Sequence, residues 1–324
     1  MKRFILLIFI ALSFIFTANI FAEEIKIAIV THEKSNHYLA CQKFKEIVEK
    51  ESAGKYKVSI FHSSSLGDEN SILQQIQLGT VDLGVITSGP IGNFNKKIQI
   101  FDLPFIFKDY EQSDKILDGE IGKEVLQSLE TSGFKGLHFL ENGFRNLTNN
   151  VRAVNNVNDV KGLKIRTMDA PAHVKLWRAF GANPTPMGWP INTELQQGTI
   201  DGQENPLSVI DQYKLYEVQK YLSLTRHVYS PLVFIMNLKK FNSLPKNEQE
   251  LFLKATKEAS IFERKYNRDN NAKFLANLKA HGMQVVEKLD LNSFKAKIGS
   301  IYEDAKKTTD QKLVEKLLNE TKGK

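Results

Sequence analysis

Ile72-Leu-Gln-Gln-Ile-Gln-Leu-Gly-Thr-Val-Asp-Leu83 and Thr193-Glu-Leu-Gln-Gln-Gly-Thr-Ile-Asp-Gly202 follow one grammar. Each is a glutamine-bearing helix closed by a glycine, then a threonine, a β-branched residue and an aspartate that opens a strand. Glycine ends a helix well because it enters the left-handed conformation without a Cβ clash. Two unrelated helix-to-strand turns that converged on good capping chemistry would give this pattern. So would two lobes built on similar α/β units.

Working outward, Glu24-Ile-Lys-Ile-Ala-Ile-Val30 alternates and then turns apolar, as a strand entering a buried sheet does. Asn36 can cap a helix over about Tyr38 to Glu51 that stops at Gly54, and Lys57-Val-Ser-Ile-Phe61 is the next strand. Strand, helix, strand is the unit of a parallel sheet covered by helices. From Lys246 to His281, Leu251, Ala255, Ala259, Phe262, Tyr266, Phe274 and Leu278 return at helical steps, with Pro245 before them and Gly282 after. Such a helix extends about 50 Å, more than the diameter of one 150-residue lobe, so it is expected to touch both. No Pro-rich linker separates the lobes, and the chain should cross between them on regular elements. Lys306 to Lys324, polar with Leu313, Leu317 and Leu318, reads as a surface helix with a frayed tail.

The chain opens with Lys2 and Arg3, an apolar run from Phe4 to Phe16, and Ala22 ahead of Glu23-Glu24. This is the pattern of a secretory signal peptide over residues 1–22, too short to span a bilayer. A mature, periplasmic protein starting at Glu23 is expected. The one cysteine, Cys41, lies too far inside for a lipid anchor and excludes an internal disulfide, leaving about 300 residues to be held by a core. The formal charge of +7 becomes +5 without Lys2 and Arg3, and the lysines interleave with glutamates along solvated helix faces. No basic run with aromatics argues for nucleic acid. The excess positive charge suits an anionic ligand.

Enzyme signatures are missing. There is no nucleophile elbow, phosphate loop or dinucleotide fingerprint. His32 and His37 are five apart, which turns a helix by about 500 degrees and puts the imidazoles on different faces, unlike a zinc-binding pair. Cys41 has no neighbour to activate it and reads as a buried, inert thiol. No cofactor or metal is expected. Gly162-Leu-Lys-Ile-Arg166 is a short strand ending in an arginine. That arginine is either a surface ion pair or a guanidinium fork that grips a carboxylate through two parallel hydrogen bonds. Asn205 in Gln203-Glu-Asn-Pro206 caps a helix beginning at Pro206 in the simplest account.

Taken in order and spacing, Lys161-Gly-Leu-Lys-Ile-Arg166, Gly181-Ala-Asn-Pro-Thr-Pro-Met187 and Leu195-Gln-Gln-Gly-Thr-Ile-Asp-Gly-Gln-Glu-Asn-Pro206, together with Ser63-Ser-Ser-Leu-Gly-Asp68, resemble the DctP-type periplasmic binding proteins of tripartite ATP-independent periplasmic (TRAP) transporters. The resemblance covers essentially the whole mature chain. It implies a two-lobed α/β Venus-flytrap fold with the long helix spanning both lobes. We place the first lobe at 23–142 plus about 231–270 and the second at 143–230 plus about 271–324. It implies that Arg166 binds a ligand carboxylate, that Asn205 supports the same group, and that Arg145 in Gly143-Phe-Arg145 adds a second positive contact. Trp189 stands where relatives carry an aromatic residue packed on the ligand, and Glu69, Thr87, Ser88, Met168 and Tyr229 are further lining positions. Thr87 stands where the sialic-acid branch carries glutamate, and Met168-Asp169 and Trp189 also differ from that branch. A C4-dicarboxylate, a smaller carboxylate or a shorter sugar acid is therefore expected rather than a nine-carbon sugar acid. The implied partners are the small carboxylate and the TRAP membrane permease, with the chain itself a monomer. A binding subunit for a chemoreceptor or sensor kinase is the alternative, and a hydrolase or lyase using Glu69 or His32 as a base is a more distant one.

Overall fold

A computed structural model describes residues 22–322, so all but Ala22 of the expected signal peptide and the last two residues of the tail lie outside the described residues. Eleven strands are described: β1 (Glu23–Ala28), β2 (Tyr56–Phe61), β3 (Leu83–Thr87), β4 (Phe134–Phe144), β5 (Asn146–Asn149), β6 (Lys164–Thr167), β7 (Asn183–Pro186), β8 (Gly202–Asn205), β9 (Tyr221–Ser223), β10 (Tyr229–Asn237) and β11 (Gln284–Val286). They form two sheets, ordered β2-β1-β3-β10-β4 and β11-β9-β5-β8-β6-β7, one to each lobe.

The repeated grammar is repeated geometry. The helix Glu69–Leu78 closes on Gly79 at φ 81°, and Asn192–Gln196 is followed by Gly198 at φ 70°. Thr80 N donates to Gln75 O at 3.0 Å and Thr199 N to Glu194 O at 3.0 Å, so both carbonyls left over at the helix end are satisfied alike. Asp82 then exchanges two bonds with Lys26 in the middle of β1, its Oδ2 accepting from Lys26 N at 2.8 Å. Asp201 does the same with Lys164 at the start of β6, again at 2.8 Å. Each aspartate thereby sets the register of a parallel pair, β3 on β1 and β8 on β6.

The first helix starts two residues earlier than the sequence suggests. Ser35 is the cap, its Oγ accepting from Tyr38 N, and Asn36 is the first helical residue. The side chain of Asn36 is committed elsewhere, donating to Glu263 Oε1 at 2.6 Å. That helix, Asn36–Glu51, and the strands β1, β3 and β10 enclose one core with Phe252, Ala255 and Ala259. A second core runs without a break from the opposite face of the first sheet, through Phe101 and Phe139, to Ile165, Trp177 and Leu147 of the second. A third lies beneath the far face of the second sheet, around Ile191, Ile210, Leu222, Phe274 and Leu278.

Phe252 and Phe274 belong to the same helix, Lys246–Ala280, which therefore inserts one end into each lobe. Its middle departs from the expected stripe. Phe262 is 42% exposed and Leu251 only partly buried, whereas Ser260, Glu263, Arg264 and Asn267 face inward. Between the two apolar anchors the helix crosses on ion pairs instead, with Arg264 on Asp118 at 2.7 Å and Arg268 on Asp114 at 2.6 Å.

The expected single C-terminal helix is two, Gly299–Thr308 and Gln311–Thr321, broken where Asp310 caps the second. Leu313, Val314 and Leu317 are buried, so this is not merely a surface element. The last helix packs back on Tyr110–Leu117 and Glu120–Ser128, beside the first sheet, with Lys97 bridging Asp310 at 2.8 Å, although the sequence-based division groups it with the second lobe.

Candidate ligand-binding site

Parallel strands covered by helices leave a crevice at their carboxyl ends, where ligands of open α/β sheets bind. Both sheets turn that end toward one cavity. Val30 and Thr31 follow β1, Thr87 ends β3, Arg166 and Met168 stand at the end of β6, and Asn205 ends β8. His37 and Glu69 arrive from the first turns of the two helices that follow β1 and β2, Asn142 from β4, Val209 from Leu207–Gln212, and Trp189 from the loop after β7. These residues surround a cavity of about 30 Å³, well below the roughly 300 to 1,000 Å³ of small-molecule sites, so a ligand requires the lining to move apart. A larger hollow of about 380 Å³ between Lys55 and Lys254 lies on the surface, and its lysines are already paired with Glu248 and Glu51.

Arg166 is 3% exposed, yet among the described residues no carboxylate comes within 4.0 Å of it. Its Nε and Nη2 donate to the single backbone oxygen of Met187 at 2.9 and 2.5 Å, and its guanidinium sits 5.4 Å from the ring centre of Trp189. Those contacts fix the plane of the fork while leaving Nη1 without a protein acceptor. Burial, helped by the neighbouring Arg145, lowers its pKa to about 10, so it still carries its charge at neutral pH. Glu204, Glu69 and Glu194 offset part of that effect from farther off, but a buried cation with no carboxylate in direct contact is costly, and an anion in the cavity would reduce that cost.

Glu69 Oε1 accepts from Thr87 N and Thr87 Oγ1, both at 2.7 Å, and burial raises its carboxyl against those bonds. Asn205 is held from both sides, donating to Gln203 Oε1 at 2.6 Å and accepting from Arg145 Nη2 at 3.0 Å. It is therefore not the helix cap suggested by Asn205-Pro206. As the last residue of β8 it is paired with Asn146, its amide is in use, and the following helix Leu207–Gln212 is entered through Pro206 without a side-chain bond.

Six of the nine residues singled out in the sequence thus meet at the cavity: Arg166, Asn205, Trp189, Glu69, Thr87 and Met168. Arg145, Ser88 and Tyr229 do not line it. Arg145 is fully buried and bonds Glu204 through both Nε and Nη2, at 2.5 and 2.9 Å, so it supports Asn205 from behind. Glu204 also receives His227 Nε2 at 3.0 Å and lies 3.4 Å from His173 Nδ1. It stays well below the usual carboxylate range even though burial opposes this, because Arg145 and His173 outweigh the desolvation. Ser88 Oγ donates to Asp102, itself 3.6 Å from His173, and Tyr229 donates to Glu141. His32, the conceivable base, is tied to Gln212 O at 3.0 Å.

Thr31, His37 and Asn142 were not legible as lining residues. His37 stands just after the Ser35 cap in the helix that follows the first strand, and that position alone could have aimed it at the carboxyl end of the sheet. Asn142 carries no comparable signal.

The family model described as DctP, bacterial extracellular solute-binding protein, family 7, matches residues 27–308. A solute-binding protein of Verminephrobacter eiseniae is 43% identical over 277 residues, 85% of this chain and 83% of the relative. The crystal structure of a TRAP periplasmic solute-binding protein from a Polaromonas species, bound to D-erythronate, superposes with a TM-score of 0.89 at 40% identity, covering 91% of this chain and 98% of that one. The sugar-acid-binding protein DctPAm of Advenella mimigardefordensis, in complex with galactonate, does so with a TM-score of 0.90 at 34% identity, covering 93% and 98%. With its two echoed sheets, its spanning helix and a cavity at their shared carboxyl ends, the chain belongs to the DctP family of bacterial extracellular solute-binding proteins, the binding subunits of TRAP transporters.

Proposed function

We propose that this chain captures a small organic acid in the periplasm, without chemically changing it, and delivers it to a TRAP membrane permease as a monomer. The observation that carries this is Arg166, a buried guanidinium whose open edge lines the cavity and meets no carboxylate among the described residues. An acid's two oxygens complete the fork as no neutral group can. Asn205 borders the same end, held by Arg145, and Trp189 covers the ligand's apolar face. The erythronate and galactonate held by the two similar structures are both carboxylates, which supports an acid in this cleft. Capture works by closure: a ligand touching both lobes stabilises their closed arrangement, which the permease then recognises. The closing bodies are 23–142 with about 231–270, and 143–230 with the remainder that packs on it.

Thermal melting of the purified protein across a panel of organic acids tests this. An acid at about 100 times its Kd adds roughly 2.7 kcal/mol of stability, a clear rise in Tm. A rise with neutral sugars or amines and with none of the acids would overturn the proposal.

A further inference from the structure

Two glycines face each other's lobes rather than their own. Gly89 lies in the short helix Ser88–Ile91 that follows β3, and Gly188 in the loop after β7. Neither has a positive φ, so neither needs glycine's freedom to enter the left-handed region. A Cβ on Gly89 would lie 2.9 Å from Ala170 Cβ and 2.9 Å from Met168 Cε, both beyond the end of β6 in the other lobe. One on Gly188 would lie 3.0 Å from Asp68 Cβ, on the residue that caps the first lobe's helix Glu69–Leu78. Carbon atoms pack at about 3.5 to 4.0 Å. Met168 Cε can swing aside, but the Cβ atoms of Ala170 and Asp68 are fixed to their backbones, so only a shift of the lobes relieves the overlap.

Ala170 carries a second mark of the same constraint. It is the N-cap of the helix Pro171–Ala179, where Ser, Thr, Asp or Asn ordinarily bonds a free N–H, and it makes no such bond. A small side chain stands there, 1% exposed, against Gly89. Polar bonds beside each contact leave little slack: Asn93 Nδ2 donates to Asp169 O at 2.8 Å, next to Ala170, and Ser64 Oγ to Trp189 O at 3.0 Å, next to Gly188. The parts pressed together are also walls of the cavity. Met168 lines it directly, and the lining residues Thr87, Glu69 and Trp189 lie beside or one residue removed from Gly89, Asp68 and Gly188.

We propose that Gly89 and Gly188 set how far the lobes close, and thereby the size of acid that the closed protein holds tightly. This rests on capture by closure as proposed above. With both Cβ atoms absent the cavity shrinks to about 30 Å³, so every acid holds the walls apart, and a longer acid holds them further apart than a shorter one. A Cβ that blocks the end of closure therefore weakens the grip on a short acid more than on a long one. Because that contact forms only after the ligand has entered, the loss falls on release rather than on association.

Calorimetry and stopped-flow kinetics on the full mature chain test this with D-glycerate, D-erythronate, D-ribonate and D-galactonate, a series of increasing length, and with succinate and adipate beside it. Gly89→Ala and Gly188→Ala are each expected to weaken the shortest acid that wild type binds by about tenfold or more, through faster release, with a loss that shrinks as the acid lengthens. Both variants are expected to melt no lower than wild type without ligand, since alanine suits either backbone and the empty lobes need not close. Should one variant not fold, the other decides. Affinity within about twofold of wild type for every acid, an equal loss at all lengths, or a fall in unliganded melting of both variants would each overturn the inference while leaving the Arg166 anchor standing. Wild-type protein that binds none of the six acids would instead overturn it together with the capture of an acid on which it rests.

Discussion

At the scale of single residues, the contrast between two arginines decides what the site is. Arg145 and Arg166 are both buried, but Arg145 has its carboxylate partner in Glu204 and Arg166 has none. The same residue type is structural in one place and available to a ligand in the other. Replacing Arg166 by alanine leaves a bound acid buried without its partner, which typically costs about 2 to 5 kcal/mol, or roughly 30-fold to several thousand-fold in affinity. Arg166→Lys retains a charge but loses the planar fork held against Met187 O, so it too should weaken binding. Calorimetry on variants with unchanged melting checks both; affinity within a few-fold of wild type would remove Arg166 from the role of anchor. Arg166 and Asn205 became site candidates through the family resemblance that the motifs around them carry; the residues alone left Arg166 open between a surface ion pair and an anchor, and read Asn205 as a helix cap. His37 and Asn142 were not legible, since a histidine or asparagine gains its role only from what the fold sets opposite it.

At the scale of elements, the two Gly-Thr-β-branched-Asp turns make a local claim. Asp201 Oδ2 accepts from Lys164 N and locks β8 to β6, the strands that carry Asn205 and Arg166 at or next to their carboxyl ends. Asp201→Ala should cost about 0.5 to 1.5 kcal/mol, seen as a lower urea midpoint with an unchanged m-value. A change within about 0.2 kcal/mol would mean that the turn sets register without that bond. The long helix makes a second claim through Glu263. Burial, and next the nearby Glu141 carboxylate, raise its pKa to about 8, against its bonds from Glu141 N and Asn36 and against Arg264. A carboxyl with a folded pKa above its unfolded value near 4.5 binds more protons when folded between those values. Its contribution is therefore complete below about pH 4.5 and is lost as pH rises through about 8. Glu263→Gln cannot ionise, so its Tm measured relative to wild type should climb from pH 5.5 to 8.5. A flat difference would show that Glu263 is already ionised at the lower pH. The helix's length was readable from its periodicity and stops. Its inward polar middle was not, because Ser260, Glu263, Arg264 and Asn267 look like a solvated face until the ion pairs from the first lobe are in place.

At the scale of the whole molecule, the lobes meet across the mouth of the cavity through a few polar contacts. Asn70 Nδ2 donates to Asp169 Oδ2 and Asn93 Nδ2 to Asp169 O, both at 2.8 Å, while Ser64 Oγ donates to Trp189 O at 3.0 Å. Asp169 is exposed, so these bonds compete with water and contribute modestly. Asp169→Ala removes the Asn70 bond and leaves that from Asn93. Affinity should fall roughly two- to tenfold, almost entirely through faster release. Stopped-flow measurement of both rate constants checks this; an unchanged release rate would mean that the contact plays no part in holding the mouth shut.

The sequence by itself determined the α/β units, the pair of echoed turns, the spanning helix and the strand end that presents Arg166. These depend on local capping, periodicity and turn chemistry, which act between neighbours along the chain. The tertiary structure alone decided which arginine is free, which buried polar atoms lack partners, and where the final helix packs. Those properties arise when residues such as Arg145 and Glu204, or Asn36 and Glu263, 59 and 227 positions apart, are brought within bonding distance. Whether a charge is paired or a polar atom satisfied depends on what fills the space opposite it, and no local pattern encodes that.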